Sequence, residues 1–163
     1  MKEGIYINPF TNPTLEECAT ILYPPSYLSL EKALNNHNVL PQACYTMTFV
    51  TTRNDYNTSI REVAIEYNHI PQELFFGYSF DRFTNSYIAS PEKAYVDWLY
   101  VRGIKDKIGE YQLLSMPDEM ELIELDVNKI EQIIKDIKNI EIASDVNMLY
   151  SKVRKELWHK FSQ

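Results

Sequence analysis

Tyr87-Ile-Ala-Ser-Pro-Glu-Lys-Ala-Tyr-Val-Asp-Trp-Leu-Tyr-Val-Arg-Gly103 is the stretch of this chain that decides its fold. Ser90 is a preferred helix N-cap, because its hydroxyl can accept a hydrogen bond from a free backbone N–H in the first turn. Pro91 suits the first helical position, where its missing N–H would have had no partner, and Glu92 places a negative charge at the positive end of the helix dipole. The stretch therefore predicts a central helix that is entered directly from a strand.

The same stretch predicts how this helix packs and where it ends. Its apolar residues fall on one face or beside it, namely Ala94, Tyr95, Trp98, Leu99 and Val101. Gly103 can take the left-handed conformation that closes a helix, and Arg102 would interact with the C-terminal dipole. Lys93 and Asp97 are four residues apart, which predicts an exposed ion pair on the helix surface.

The composition is that of an ordinary globular protein. The chain has 163 residues, of which 45% are hydrophobic and 24% are charged, and this length suffices for one well-buried core. We therefore expect a single domain over residues 1–163. A net charge of -7 opposes binding to a phosphate backbone. The one mildly basic segment is better explained as a solvated helix face, and it comprises Lys152, Arg154, Lys155 and Lys160.

The cysteines and the hydropathy pattern indicate the cellular compartment of the protein. Cys18 and Cys44 are not spaced as a metal knuckle or a redox pair, and two cysteines do not make a disulfide framework. The sequence shows no signal-peptide pattern and no apolar run long enough to cross a bilayer. We therefore expect a cytoplasmic protein with no membrane partner.

Two helices are predicted upstream of the central helix. Thr14 and Glu17 form a capping box for a first helix that extends to about residue 22. The prolines at positions 24 and 25 end that helix, and either Ser26 or Ser29 is expected to begin the second.

A small sheet is predicted to follow. Alternating or apolar runs predict strands at 45–51, 63–69, 74–78 and 86–89, with a polar turn at 53–58. These strands follow one another too closely for helical crossovers between them, which predicts a mixed or mostly antiparallel sheet. A short strand at 4–8 and a strand edge at 120–125 are also predicted.

The last part of the chain predicts a helical hairpin over residues 126–163. Asp126 can cap a first helix with an apolar stripe, and Ser144 can cap a second. The fold class predicted by all these elements is α+β, with helices packed on a small sheet.

The sequence shows no motif for a cofactor or a metal. His37, His69 and His159 come singly, without a second ligand at a metal-binding spacing. The isolated glycines form no phosphate-binding loop. We therefore expect no cofactor, no metal and no catalytic residue.

The acidic residues are compatible with a second interpretation, in which the protein is an enzyme. A metal-dependent nuclease or phosphodiester hydrolase needs two or three carboxylates around a divalent ion. Asp97, Glu66 and an acidic edge are candidates, the edge being Asp118, Glu119, Glu121 and Glu124. No lysine stands close behind that edge, so a solvated acidic surface explains it better.

Three stretches together resemble one known family. They are Pro25-Ser-Tyr-Leu-Ser-Leu-Glu-Lys-Ala-Leu34; Thr48-Phe-Val-Thr-Thr-Arg53 with Tyr67-Asn-His-Ile70 and Glu73-Leu-Phe-Phe-Gly77; and Ala89-Ser-Pro-Glu-Lys-Ala94 with Asp97. In this order they resemble the C-terminal domain of the AbiEi-type antitoxins of type IV, abortive-infection toxin–antitoxin systems, also described as predicted transcriptional regulators of viral defence. The resemblance covers residues 4–103 well and the helical tail loosely.

The resemblance implies a function and its partners. It implies a non-enzymatic antitoxin that counteracts a nucleotidyltransferase-like toxin without requiring a stable complex. Members of the family usually carry an N-terminal winged helix that binds DNA and represses their own operon. Residues 1–8 of this chain could be the remnant of a wing strand, so DNA is expected as a partner only if a winged helix is present elsewhere.

A protein of this kind is expected to work through its surface. The candidate partner-binding residues are polar side chains beside the core elements, namely Arg53, Tyr67, His69, Lys93 and Asp97. Besides the enzymatic alternative above, a structural or oligomerising module is the remaining interpretation.

Overall fold

A computed structural model describes residues 6, 8, 10–107 and 124–161 of the chain, with side chains to residue 156. Its helices are α1 (Leu15–Leu22), α2 (Leu30–Asn36), α3 (Pro91–Trp98), α4 (Val127–Asp136) and α5 (Ile140–Phe161), with a 3-10 turn at Gln72–Leu74 and a π-helix at Leu99–Lys105. Its strands are β1 (Ser26–Leu28), β2 (Met47–Thr51), β3 (Tyr56–Ile60), β4 (Val63–His69), β5 (Tyr78–Asp81) and β6 (Ser86–Ala89).

The strands form one mixed sheet in the order β3-β4-β2-β1-β6-β5. The pairs β1–β6 and β2–β4 are parallel, and the pairs β1–β2, β3–β4 and β5–β6 are antiparallel. Helices and sheet belong to one α+β unit, so the predicted fold class is confirmed. None of the helices in the described residues is long and apolar enough to cross a membrane.

Helices cover both faces of this sheet. On one face, α1 contributes Ala19 to a cluster with Leu28, Phe49 and Tyr67. On the other face, α2, α3, α4 and α5 build a larger cluster around Trp98. All five residues of β2 are buried, because this strand lies in the middle of the sheet between the two clusters. The alternation of residues 45–51 is typical of a half-buried strand, and that prediction is wrong for β2.

The central helix is confirmed, but its predicted end is wrong. The Ser90 hydroxyl accepts a hydrogen bond from the Lys93 N–H at 3.2 Å, and Pro91 is the first helical residue. Helical structure then continues through Gly103 to Lys105 as a π-helix. Gly103 has no left-handed backbone, and carboxylates hold Arg102, as described below.

Of the two predicted starts of the second helix, Ser29 is confirmed as the N-cap of α2. Ser26 instead begins β1, because residues 26–28 pair with β2 on one side and β6 on the other. Two other predictions in the first half of the chain need correction. The turn predicted at 53–58 contains the start of β3, which is completed by pairing with β4. The strand predicted at 74–78 begins only at residue 78 and runs to 81.

Both predicted C-terminal helices are present, but the second begins earlier than predicted. The Asp126 carboxylate accepts hydrogen bonds from the N–H groups of Asn128 and Lys129, as its predicted capping role requires. The next helix begins at Ile140, four residues before Ser144, because the Asn139 side chain accepts the N–H of Glu141 at 3.0 Å. Most of the predicted segments at 1–8 and 120–125 lies outside the described residues.

Candidate functional site

Three of the five candidate residues lie together at one end of the sheet. Arg53 is exposed in the loop after β2, and His69 ends the neighbouring strand β4. Tyr67 lies two residues before His69 on the same strand. Lys93 and Asp97 lie elsewhere, inside the core.

Arg53 is held on the face of an aromatic ring. Its guanidinium carbon lies 4.0 Å from the centroid of the Tyr23 ring, which is a cation–π distance. The Tyr23 ring stacks in turn on Tyr56, at 5.0 Å between centroids and an interplanar angle of 26°. Tyr56 is 41% exposed. A cation and two amphipathic rings are therefore presented to solvent in a fixed arrangement.

His69 and two charged residues continue this surface. The His69 Nδ1 lies 2.9 Å from the Arg53 carbonyl oxygen, and because a carbonyl only accepts, Nδ1 carries the proton. The Asp55 carboxylate accepts the His69 N–H at 2.6 Å and pairs with Lys105. We call these residues the Arg53 surface: Tyr23, Arg53, Asp55, Tyr56, His69 and Lys105.

The pKa of the Asp55 carboxyl is lowered by its surroundings. Partial burial by itself would raise its pKa, but the hydrogen bond from the His69 N–H and the contact with Lys105 outweigh burial and hold the pKa below its ordinary value. The contacts of Asp55 are therefore present at neutral pH and are lost only as the pH falls through this lowered pKa.

Tyr67 supports the Arg53 surface from below and does not reach a partner. It is 1% exposed, and its hydroxyl donates to the Ala19 carbonyl at 2.6 Å. Its ring packs against Tyr23 at 5.0 Å and Tyr56 at 5.9 Å. Burial raises the pKa of its hydroxyl. Its prediction as a contact residue is therefore wrong, because α1 covers it.

An open cleft adjoins the Arg53 surface. It has a volume of about 500 Å³ and lies between the N-terminal segment, α1 and β3. Its lining includes Cys18, Ile21, Leu22, Tyr56 and Ile60. Polar residues such as Glu17 and Thr58 also line the cleft, so it is only partly apolar. Its apolar part, beside Arg53, can accept an apolar side chain of a partner.

Lys93 and Asp97 form an ion pair as predicted, but the pair is buried rather than exposed. Both side chains have no solvent exposure, because α3 is covered on all sides by the sheet and by neighbouring helices. One Asp97 oxygen accepts from Lys93, and the other accepts from Tyr27 at 2.9 Å and Ser29 at 2.8 Å. The Lys93 ammonium also donates to the Tyr27 hydroxyl at 3.1 Å. The two residues therefore contact no partner.

Burial shifts the pKa values of this network in opposite directions. It raises the pKa of the Asp97 carboxyl and lowers that of the Lys93 ammonium, and their mutual contact opposes both shifts. Burial and the neighbouring carboxylate also raise the pKa of Tyr27. Perturbed pKa values of this kind occur in structural networks as well as in active sites, and here the groups satisfy one another.

The carboxylates of the enzymatic alternative do not converge in the described residues. Asp97 has its oxygens committed in the core, and Glu66 pairs with Arg102 at 3.4 Å. The same Arg102 makes a two-pronged contact with Glu31 at 2.8 and 3.0 Å. No group of three metal-ligating side chains occurs in the part of the chain that the structure describes. The acidic edge lies outside it except for Glu124.

The contacts of the two cysteines, of His37 and of Arg154 are explained by the fold alone. Cys18 and Cys44 are free and half-buried, and burial raises the pKa of the Cys44 thiol. The His37 Nε2 lies 2.8 Å from the Ala89 carbonyl oxygen. Arg154 of the basic segment pairs with Glu131 on the helix surface.

Sequence reasoning missed four members of the Arg53 surface: Tyr23, Asp55, Tyr56 and Lys105. Tyr23 could have been found from its position directly before Pro24, where the predicted helix stops. Asp55 and Tyr56 were assigned to a turn, and Lys105 follows the glycine that was expected to end the central helix.

Comparisons of this chain with protein families, characterised proteins and solved structures gave no match.

Proposed function

We propose that this protein is an antitoxin-like, non-enzymatic binding protein of a phage-defence toxin–antitoxin system, and that it counteracts a nucleotidyltransferase-like toxin. The motif resemblance of residues 25–34, 48–77 and 89–97 motivates the choice of system. The observation that carries the binding function is the exposed Arg53 guanidinium fixed on Tyr23 beside His69.

The Arg53 surface has the composition of a protein-binding site. Arginine and tyrosine are enriched among the residues that dominate binding energy, and rigid side chains lose little entropy on binding. The Arg53 side chain is already ordered by Tyr23 and by the Pro24 carbonyl, 3.4 Å from its Nη1. The partly apolar cleft beside it offers a place for an anchoring side chain. These features favour an acidic or polar partner surface with one apolar protrusion.

The proposal also states where the protein acts and whether it binds DNA. An antitoxin of this kind acts in the cytoplasm, where its toxin is made. The Arg53 surface is mixed in charge because Asp55 lies beside Lys105, and the chain as a whole carries -7, so we do not assign DNA binding to these residues. A role in autoregulation would require a winged helix elsewhere.

Co-expression with the cognate toxin tests this proposal. We expect the wild-type chain to restore growth of cells that express the toxin, and Arg53→Glu to restore it at least tenfold less efficiently. Reversing this charge removes the stacked cation and repels an acidic partner surface. Soluble expression and a thermal melt of each variant establish that it is folded.

Arg154→Glu is the matched control, since Arg154 is an exposed arginine on α5, outside both proposed interaction surfaces. It changes the net charge by the same amount at a distant surface, so rescue should be unaffected. Absence of rescue by the folded wild-type chain would refute the antitoxin function. Equal rescue by Arg53→Glu would instead refute the assignment of the Arg53 surface.

A further inference from the structure

We propose that the open edge strand β5 pairs with β5 of a second copy of this chain, so that one antiparallel sheet runs through a two-fold dimer. This surface is separate from the Arg53 surface. Strand β5 is one edge of the sheet, and the opposite edge is β3, which starts at Tyr56.

The hydrogen bonding of the hairpin shows which backbone groups face outward. The Ser90 N–H donates to the Gly77 carbonyl at 3.1 Å, so residues 77 and 90 form a hydrogen-bonded pair. Such pairs alternate along an antiparallel ladder. The register of β5 with β6 therefore makes 79–88 and 81–86 hydrogen-bonded pairs as well. The N–H and C=O groups of Tyr78 and Phe80 consequently point away from β6, toward the open edge.

Among the two-fold registers that pair these outward groups, the one centred on Ser79 makes the most hydrogen bonds within β5. If Ser79 lies opposite Ser79 of the second copy, then Tyr78 lies opposite its Phe80 and Phe80 opposite its Tyr78. Both of these pairs use the outward groups, which gives four main-chain hydrogen bonds within the four residues of β5. The interface is self-complementary, as a two-fold dimer requires.

Aromatic side chains line the same edge. Tyr78, Phe80, Phe83 and Tyr87 are 37%, 51%, 95% and 42% exposed. Tyr87 contacts both Tyr78 and Phe80 edge-on, at 5.7 and 5.5 Å between ring centroids. The proposed register places Tyr78 of one copy beside Phe80 of the other. The aromatic contacts would therefore continue across the dimer axis, where such cross-strand pairs are favourable.

The exposed aromatic area is close to what a dimer needs. At about 200 Å² per ring, the four rings leave roughly 450 Å² uncovered on each chain. Complete burial of all four rings in two copies would remove roughly 900 Å², an upper limit for the rings alone that lies just below the ~1,000 Å² expected of a specific interface.

The local charge also favours a second copy. Each chain carries -7, yet the hairpin from 78 to 89 contains one acid and one base, Asp81 and Arg82. The Asp81 carboxylate is engaged within its own turn by the Phe83 N–H and the Thr84 hydroxyl. Strand β5 thus has no proline or lysine of the kind that protects edge strands from pairing, and its one charged residue, Asp81, is bound within its own turn. Two acidic chains can meet here without bringing like charges together.

Sedimentation velocity over a concentration series that reaches the high micromolar range tests the proposal. We expect the wild-type chain to dimerise, and Phe80→Lys to raise the dissociation constant at least tenfold, because it replaces a ring of the interface with a charge and places two like charges diagonally across the dimer axis. Asn57→Lys adds the same charge to the opposite edge strand and should leave the dimer intact. Circular dichroism checks that each variant is folded.

Disulfide trapping tests the register itself and does not depend on the folding of Phe80→Lys. In a Cys18→Ser, Cys44→Ser background, Ser79→Cys should give a disulfide-linked dimer on mild oxidation, because facing residues of a non-hydrogen-bonded pair are about 4.5 Å apart at Cα. Ser59→Cys, exposed on β3, is the matched control and should remain monomeric.

Each of these experiments has a result that would overturn the proposed dimer. A wild-type chain that stays monomeric throughout the concentration range would overturn the proposal, and so would a dimer that Phe80→Lys leaves unchanged. Equal trapping of Ser79→Cys and Ser59→Cys would also overturn it. A monomeric wild type that instead binds an added β-strand peptide would assign the edge to a different occupant.

Discussion

Lys93 lies in the core as a charged side chain with no solvent exposure. Its ammonium contacts Asp97 and the Tyr27 hydroxyl and lies 5.0 Å from the centroid of the Phe76 ring. Every charged or polar group in this network contacts an opposite charge or a hydrogen-bonding partner. The core therefore tolerates a helix that carries a cation and an anion in adjacent turns, although removing either partner would leave an uncompensated charge.

A double-mutant cycle on this pair tests that account. Lys93→Met or Asp97→Leu alone should each lower the free energy of unfolding by about 3–5 kcal/mol, because one buried charge loses its partner. The double variant should lose clearly less free energy of unfolding than the two single variants lose together. Urea denaturation measures all four proteins. Strict additivity would contradict a direct interaction.

Gly77 makes room for the Lys93 side chain. Its φ of +76° is strained for other residues, and a Cβ at this position would lie 2.8 Å from Lys93 Cγ. Gly77→Ala should therefore lower the free energy of unfolding by about 1–3 kcal/mol, as judged by urea denaturation. Gly103→Ala is the control, since Gly103 lies in helical backbone, and it should cause no loss. A neutral Gly77→Ala would show that the segment moves to accommodate a methyl group.

At the scale of elements, Arg102 joins the π-helix to its surroundings. It contacts Glu31 of α2, Glu66 of β4 and Asp106, with 20% of its side chain exposed. Burial alone would lower the pKa of its guanidinium, but these carboxylates raise it above its ordinary value, so the charge is permanent. The central helix therefore continues past Gly103 with its last turns bound to two other elements.

Arg102→Lys tests this role. A lysine cannot reproduce the two-pronged contact with Glu31. We expect the free energy of unfolding to fall by about 1–2 kcal/mol, the order of one hydrogen bond to a charged group. Arg154→Lys is the control, because its contact with Glu131 is exposed, and it should change stability by less than about 0.5 kcal/mol. Similar losses in both variants would mean that the Arg102 contacts contribute no more than a surface pair.

Elements that depend on local chemistry could be predicted from the sequence, whereas those that depend on distant pairing could not. The caps Thr14, Ser90 and Asp126 act within three residues, and all three begin helices as expected. Strand β1 has only three residues after two prolines, and it exists because β2 and β6 flank it. The same reason explains why the Lys93–Asp97 spacing predicted a pair but not its burial.

The candidate site follows the same rule. Arg53 and His69 could be predicted because each is a polar residue at the end of a strand with a clear pattern. Their companions Tyr23 and Lys105 come from the end of α1 and from the π-helix, which only the fold brings to this place. Tyr67 had the right position in the sequence, but α1 covers it from a part of the chain 48 residues away.

At the scale of the whole molecule, the charge of -7 acts differently on the two proposed surfaces. Self-association at β5 brings two acidic chains together through an aromatic patch, so long-range repulsion opposes it. Binding through the Arg53 cation to an acidic partner surface relies on attraction. Salt weakens both electrostatic terms, because the screening length falls from about 10 Å at 0.1 M to about 3 Å at 1 M.

Raising the salt concentration should therefore shift the two interactions in opposite directions. Between about 0.05 M and 0.5 M sodium chloride, we expect the β5 dimer to tighten severalfold as repulsion is screened. Inhibition of the purified toxin through the Arg53 surface should weaken over the same range. Sedimentation velocity and a toxin inhibition assay at matched salt concentrations measure the two effects. If salt tightened or weakened both interactions together, the electrostatic account of at least one of the two surfaces would be wrong, because the dimer is expected to gain from screening and toxin binding to lose from it.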